Sequence, residues 1–136
     1  MGGGGGIMAT ILDFSPDVLP TLVVSNSTFI DNRAIGSPGG IGGAGGGGGI
    51  SMGGGVYGAI GTVNISGSTF LGNQSIGGAG ANGGFIGAAI GGGIACGNPF
   101  DITTTGFITD CTLVGNVARG GAGAAGSDGG MALAAR

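Results

Sequence analysis

The chain carries one ten-residue phrase three times, as STFIDNRAIG, STFLGNQSIG and CTLVGNVARG, and each copy runs into glycine. In register, Phe29, Phe70 and Leu113 correspond, as do Asn32, Asn73 and Asn116, which places the copies 41 and then 43 residues apart. A second marker, GGGI, ends at Ile7, Ile50 and Ile94, so two landmarks recur in the same order. Internal repeats of this length signal a solenoid or array, whose units bury their apolar faces only against one another. The repeat constrains architecture far more than it constrains function.

Each repeat reads as strand, turn, strand, then a glycine tract. Leu22-Val23-Val24 matches Val63-Asn64-Ile65 and Gly106-Phe107-Ile108, and the column Val24, Ile65, Ile108 is β-branched throughout. Such alternation predicts a strand with one buried face. A polar kink follows at Asn26, Gly67 and Asp110. The next strand sets Ser27, Ser68 and Cys111, with Phe29, Phe70 and Leu113, on one face and Thr28, Thr69 and Thr112 on the other. Stacked units turn these columns into ladders: Val24, Ile65, Ile108; Phe29, Phe70, Leu113; and Asn32, Asn73, Asn116. An inward Asn at a bend can bond the backbone of adjacent units, which explains the residue type.

Glycine fills 40 of the 136 positions. A collagen chain does not fit, because there are only 4 prolines and no Gly-X-Y period runs throughout. Disorder fits poorly with a net charge of −3 and dense β-branched runs. The tracts keep a period of three, at Gly36, Gly39, Gly42, Gly45 and Gly48, then Gly77, Gly80 and Gly83, then Gly120, Gly123, Gly126 and Gly129. That period suits a polyproline-II-like helix with one face against another backbone. Ordering so much glycine costs backbone entropy, so the fold needs extensive backbone pairing or neighbouring chains. The expectation is one all-β repeat domain over 1–136, a β-solenoid with coils at about 4–47, 48–91 and 92–136 and glycine tracts packed on one side.

Ionisable chemistry is scarce. There is no His, Lys, Glu or Trp, and the charges are Asp13, Asp17, Asp31, Asp101, Asp110, Asp128, Arg33, Arg119 and Arg136. A nucleic-acid partner is not expected, since neutralising phosphates needs clustered Lys and Arg. The charges do not line up either: Asp31 corresponds to Gly72 and Gly115, Asp110 to Asn26 and Gly67, and Arg33 to Gln74 and Val117. General acid–base work at neutral pH would fall to a raised-pKa Asp or the lone Tyr57. We therefore expect no enzyme, no cofactor and no metal site. The Gly78-Ala79-Gly80-Ala81-Asn82-Gly83 string has the GxGxxG form but no helix-forming segment after it. Cys96 and Cys111 fall at non-equivalent points; a disulfide between them stays open beside a small inward Cys111 replacing Ser27 and Ser68. The uncharged stretch 76–96 is long enough to span a bilayer, yet its glycine and Asn82 form helix poorly, so no transmembrane span is expected. No signal-peptide pattern is visible at MGGGGG.

The pairing of Phe29-Ile30-Asp31-Asn32 and Phe70-Leu71-Gly72-Asn73 with Gly48-Gly49-Ile50 and Gly92-Gly93-Ile94 resembles the repeats of chlamydial polymorphic outer-membrane proteins. It is also similar to the wider set of bacterial surface proteins with pectate-lyase-like repeats. Leu113-Val114-Gly115-Asn116 departs from the first motif. The resemblance spans nearly the whole chain and implies a right-handed parallel β-helix of triangular coils in a secreted or cell-surface protein. The long glycine tracts depart from that pattern and resemble glycine-rich repeats of surface proteins and phage adhesins, in which polyglycine helices pack in layers.

The expected role is structural. The chain opens at GGGGGI and closes at GGMALAAR without a polar cap, which suits copies stacking head to tail into a filament, or a stalk within a larger surface protein. The alternative is an adhesin-type module for glycan, receptor or ice, on the Thr28, Thr69, Thr112 rank or on the glycine layer. A polysaccharide lyase ranks behind both, since it would need aligned acids that the repeats lack.

Overall fold

Alternating apolar and polar residues between turn residues give short strands, and among its described residues the computed structural model has sixteen of them and no helix. Those residues are 2–3, 5–9, 19–39, 48–59, 61–80, 87–97, 104–123, 130 and 132–133. A first tier comprises β1 Gly2–Gly3, β2 Ile7–Ala9, β3 Thr21–Ser25, β4 Thr28–Ile30 and β5 Arg33–Ile35. The second comprises β6 Ser51–Met52, β7 Val56–Gly58, β8 Gly61–Ser66, β9 Thr69–Leu71 and β10 Gln74–Ile76. The third comprises β11 Ala89–Ile90, β12 Ile94–Cys96, β13 Thr104–Thr109, β14 Thr112–Val114 and β15 Val117–Arg119, and β16 Ala132–Leu133 follows.

Every strand pairs in parallel with the strand five places along the chain, so like segments of successive repeats lie side by side. The sheets run β1-β6-β11-β16, β2-β7-β12, β3-β8-β13, β4-β9-β14 and β5-β10-β15. Register is kept residue by residue: Val24 opposes Ile65, which opposes Ile108, and Phe29 opposes Phe70, which opposes Leu113. The architecture is all-β, parallel and β-solenoid-like.

One sequence landmark shifts. Ile7 pairs with Val56, and Val56 with Ile94, so Ile50 is not the counterpart of Ile7. The recurring unit is three glycines and a β-branched residue, ending at Ile7, Val56 and Ile94; the string ending at Ile50 lies six residues too early. Two glycine runs sit next to each other there, and spacing alone favours the wrong one. Strand lengths hardly change between tiers, while the link from the second to the third strand of each tier runs over 10–20, 59–60 and 97–103. A link of this kind adds little closure entropy as it lengthens, so the repeat tolerates insertion there.

The corners explain the kink residues. Asn26, Gly67 and Asp110 have φ of 46°, 55° and 51°, and Asp31, Gly72 and Gly115 have 53°, 65° and 63°. Both columns are left-handed turns, a conformation open to Gly and, at modest cost, to Asn and Asp. The alternation of Asp, Asn and Gly at these positions is thus a backbone requirement rather than a scatter of charges.

The described ends of the glycine tracts meet in a narrow neck. Gly49 N–H donates to the Ser37 carbonyl, Gly78 N–H to Gly49, Gly87 N–H to Gly78, Gly121 N–H to Gly87 and Gly130 N–H to Gly121, all at 2.7–3.1 Å. Outgoing and returning chain alternate along this zigzag, so one continuous hydrogen-bonded line joins all the tiers. A second set joins the outgoing segments: Gly36 and Gly39 donate to Ile76 and Ala79, and Gly77 and Gly80 donate to Arg119 and Ala122. Donors three residues apart match the glycine period. Gly42, Gly45, Gly83, Gly126 and Gly129 lie outside the described residues, as do Asp13, Asp17, Asp101, Asp128, Arg136 and the Ala81-Asn82-Gly83 end of the GxGxxG string.

A Cβ on Gly78 would collide with the Ser37 carbonyl and on Gly49 with the Ser37 amide, both of them fixed backbone. Gly78→Ala should therefore cost about 2–4 kcal/mol, on the scale of severe overpacking. Asp31→Gly should instead be neutral or stabilising by up to about 1 kcal/mol, because it relieves a left-handed aspartate. Chemical denaturation should show a clear loss of stability for Gly78→Ala and none for Asp31→Gly.

Candidate functional site

In-register pairing fixes how the inward columns meet. The rings of Phe29 and Phe70 stack with centroids 4.8 Å apart and planes 6° from parallel. That separation is the spacing of paired strands, so the ring stack follows from the sheet. Val24, Phe29, Val56, Val63, Ile65 and Phe70 form one buried cluster, with Ile7, Leu22, Ile94 and Cys111 against it. A second cluster, which the column pattern did not reveal, joins Met52, Tyr57, Ala59 and Ala95. Beside the columns, the buried hydroxyls of Ser51 and Ser75 bond each other at 2.9 Å.

The asparagine column is a directed ladder. Asn32 N–H and Nδ2 both donate to Asn73 Oδ1, at 3.0 and 2.9 Å, and Asn73 N–H and Nδ2 donate in the same way to Asn116 Oδ1. Asn73 Nδ2 also reaches the Phe29 carbonyl at 3.0 Å, and Asn116 Nδ2 the Phe70 carbonyl at 2.8 Å. A fully buried Asn73 is tolerable only because each of its polar groups is occupied. Asn supplies an amide donor with two hydrogens and a separate acceptor on one short arm, which lets it bond both neighbouring tiers at once.

The two ends of the stack differ. Ile65 and Phe70 in the middle tier are 1% and 0% exposed, and their tier-1 counterparts Val24 and Phe29 are 5% and 8%. Their tier-3 counterparts Ile108 and Leu113 are 47% and 46% exposed. The same column is buried where a tier lies over it and half open at the third tier. Nothing in the sequence marks this difference, since the residue types are alike throughout.

The outer surface carries more hydroxyls than the Thr28, Thr69, Thr112 rank alone. Thr21, Thr62 and Thr105 align across β3, β8 and β13, as do Ser25, Ser66 and Thr109. Ile30, Leu71 and Val114 form an exposed aliphatic rank beside the first set.

No group of three metal-ligating side chains comes together among the described residues. A shallow concavity of about 400 Å³ is lined by Gly77, Ala79, Arg119, Gly120, Gly121 and Ala122, and Arg119 is its sole ionisable side chain. Cys96 and Cys111 are both free thiols. Cys111 Sγ takes the place of the serine hydroxyls, donating to the Thr109 carbonyl as Ser27 and Ser68 donate to Ser25 and Ser66. Cys96 is exposed as a residue, yet its sulfur sits against Gly106, and that burial raises the thiol pKa. Burial also raises the pKa of Tyr57, away from the role of a neutral-pH acid or base.

Asn73→Ala should cost about 3 kcal/mol, because it strands the Asn32 amide and the Phe29 carbonyl inside the stack. Asn116→Ala, at the open end, should cost less than half of that, and thermal melts of the two variants check the order. Stability should also fall at alkaline pH. A folded-state pKa raised above the unfolded value gives stability that is complete below the unfolded pKa and disappears as pH rises through the folded one. For the thiol and phenol that window opens above about pH 9. Tyr57→Phe should reduce the loss, and the tyrosinate absorbance of this single tyrosine should rise in step with unfolding. The sequence matches no protein-family model, and neither a curated protein nor a solved structure shows significant similarity to it.

Proposed function

We propose that this protein is a structural solenoid, a right-handed parallel β-helix of about three coils with polyproline-II-like glycine tracts along one side. It is secreted or displayed at the cell surface, where it stacks end to end into a fibre or serves as the stalk of a larger surface protein. The observation that carries this role is the half-open Ile108 and Leu113 column at the end of an otherwise buried core. Covering the exposed half of Ile108 and of Leu113 would contribute about 0.7–1.5 kcal/mol for each side chain. The three-residue spacing of the glycine donors supports the tract geometry. The scarcity of ionisable groups supports a scaffold rather than a catalyst.

A second role, glycan binding, draws on the uncharged hydroxyl ranks with their aliphatic neighbour. Sugar rings present alternating hydroxyl and C–H faces, and such a wall matches both. A glycan array with no hits would remove it.

Negative-stain microscopy across a concentration series tests the structural role. Rods longer than a single stack should appear as concentration rises and shorten in Leu113→Lys. Single stacks only, at every concentration, would overturn the fibre form.

A further inference from the structure

We infer that two copies of this chain meet open end to open end, through the part of the third tier that β16 leaves uncovered, with β13 as the strand they share. The inference rests on the self-association proposed above and limits it: a closed pair takes the place of the open-ended fibre.

The backbone of that face is unsatisfied in a regular way. In the middle tier, the N–H groups of Gly67, Gly72 and Gly77 donate to the third-tier carbonyls of Thr109, Val114 and Arg119. The carbonyls of Ser68 and Asn73 accept from the third-tier amides of Thr112 and Val117. One repeat later, the corresponding groups are the N–H of Asp110, Gly115 and Gly120 and the carbonyls of Cys111 and Asn116. None of these has a backbone partner among the described residues. Strand alternation puts the amides of Gly106 and Ile108 on the same edge as that of Asp110.

β13 is the longest piece of this edge. It spans Thr104–Thr109, holds no charge and no proline, and is exposed from Thr105 onward, whereas β8, of the same length, is largely buried. A flat uncharged edge strand is a template for another strand. Identical edges placed antiparallel present N–H opposite C=O, so a second copy supplies the complement without any other ligand. The same approach covers Ile108 and Leu113 of both copies. Asp110 ends β13, so a two-fold axis through the middle of the strand keeps the two aspartates at opposite ends.

The first tier makes a poorer partner for this face. A head-to-tail mate could offer Asn32 Oδ1 to Asn116, but Val24, Phe29 and Ala34 are already buried, so the apolar half of that contact is missing. The favoured product is a closed pair.

Sedimentation velocity of the wild-type protein should give one monomer–dimer transition. Ile108→Lys combined with Leu113→Lys should raise its midpoint concentration at least tenfold, while Thr28→Lys in the first tier leaves it unchanged. Circular dichroism shows whether each variant folds. Hydrogen exchange of the wild type needs no variant: with rising concentration the amides of 104–114 should gain protection and those of 21–30 should not. An open-ended series of species, or protection gained over 21–30, would sink the tail-to-tail pairing and leave end-to-end stacking intact. Monomers alone at every concentration would sink both the pairing and the fibre.

Discussion

The structure depends on in-register parallel pairing between identical positions of successive repeats. Once strand β8 lies beside β3 and β13 with no offset, each inward residue touches its own counterpart above and below. Most side chains gain only burial from this. Phenylalanine gains a ring stack at the strand spacing, and asparagine gains a donor–acceptor chain that a charged residue could not form, because like charges would face each other at about 5 Å. The near absence of charged residues from the columns is therefore a requirement of the stacking.

The same constraint sets the corners and the neck. Parallel tiers repeat their backbone torsions, so a left-handed corner in one tier recurs in all. Asn26, Gly67 and Asp110 are interchangeable answers to one torsional demand, as are Asp31, Gly72 and Gly115. At the neck the demand is steric. Outgoing and returning backbones interleave one by one from Ser37 to Gly130, and a side chain on Gly78 or Gly87 would occupy the next chain's carbonyl. Glycine, entropically costly in isolation, is here the residue whose removal costs more.

Much of this is legible in the sequence, and the residues show why. The columns through Val24, Phe29 and Asn32 repeat in type and spacing, so their stacking can be read from pattern alone. The GGGI landmark misleads, because the run ending at Ile50 resembles the true counterpart ending at Val56 and only pairing separates them. Tyr57, the lone phenol in a chain poor in ionisable groups, belongs to a second apolar cluster built from β6, β7 and β12, where glycine obscures any period. The zigzag at the neck is out of reach as well. It links residues by contact across tracts, and a three-residue period does not say which backbone each face meets.

A stack of like on like also cannot have two equivalent ends. Asn32 and Asn73 give backbone N–H and Nδ2 to the Oδ1 of the next tier, while the Nδ2 of Asn73 and Asn116 also donates back to the Phe29 and Phe70 carbonyls. The Oδ1 ladder therefore finishes in donors at one end and an acceptor at the other. The apolar columns add a second asymmetry that the ladder does not require, since Phe29 is buried and Leu113 is half open. Hydrogen bonding alone would favour unlimited head-to-tail addition, because Asn32 Oδ1 suits the Asn116 amide. Burial opposes it, because the first tier has little apolar surface left to cover. Hydrogen bonds exchanged with water contribute about 1 kcal/mol each, whereas covering the exposed half of Ile108 and of Leu113 contributes about 0.7–1.5 kcal/mol for each side chain, on both copies at once. The greater stabilisation is at the third tier, and it sets which surface two copies bring together.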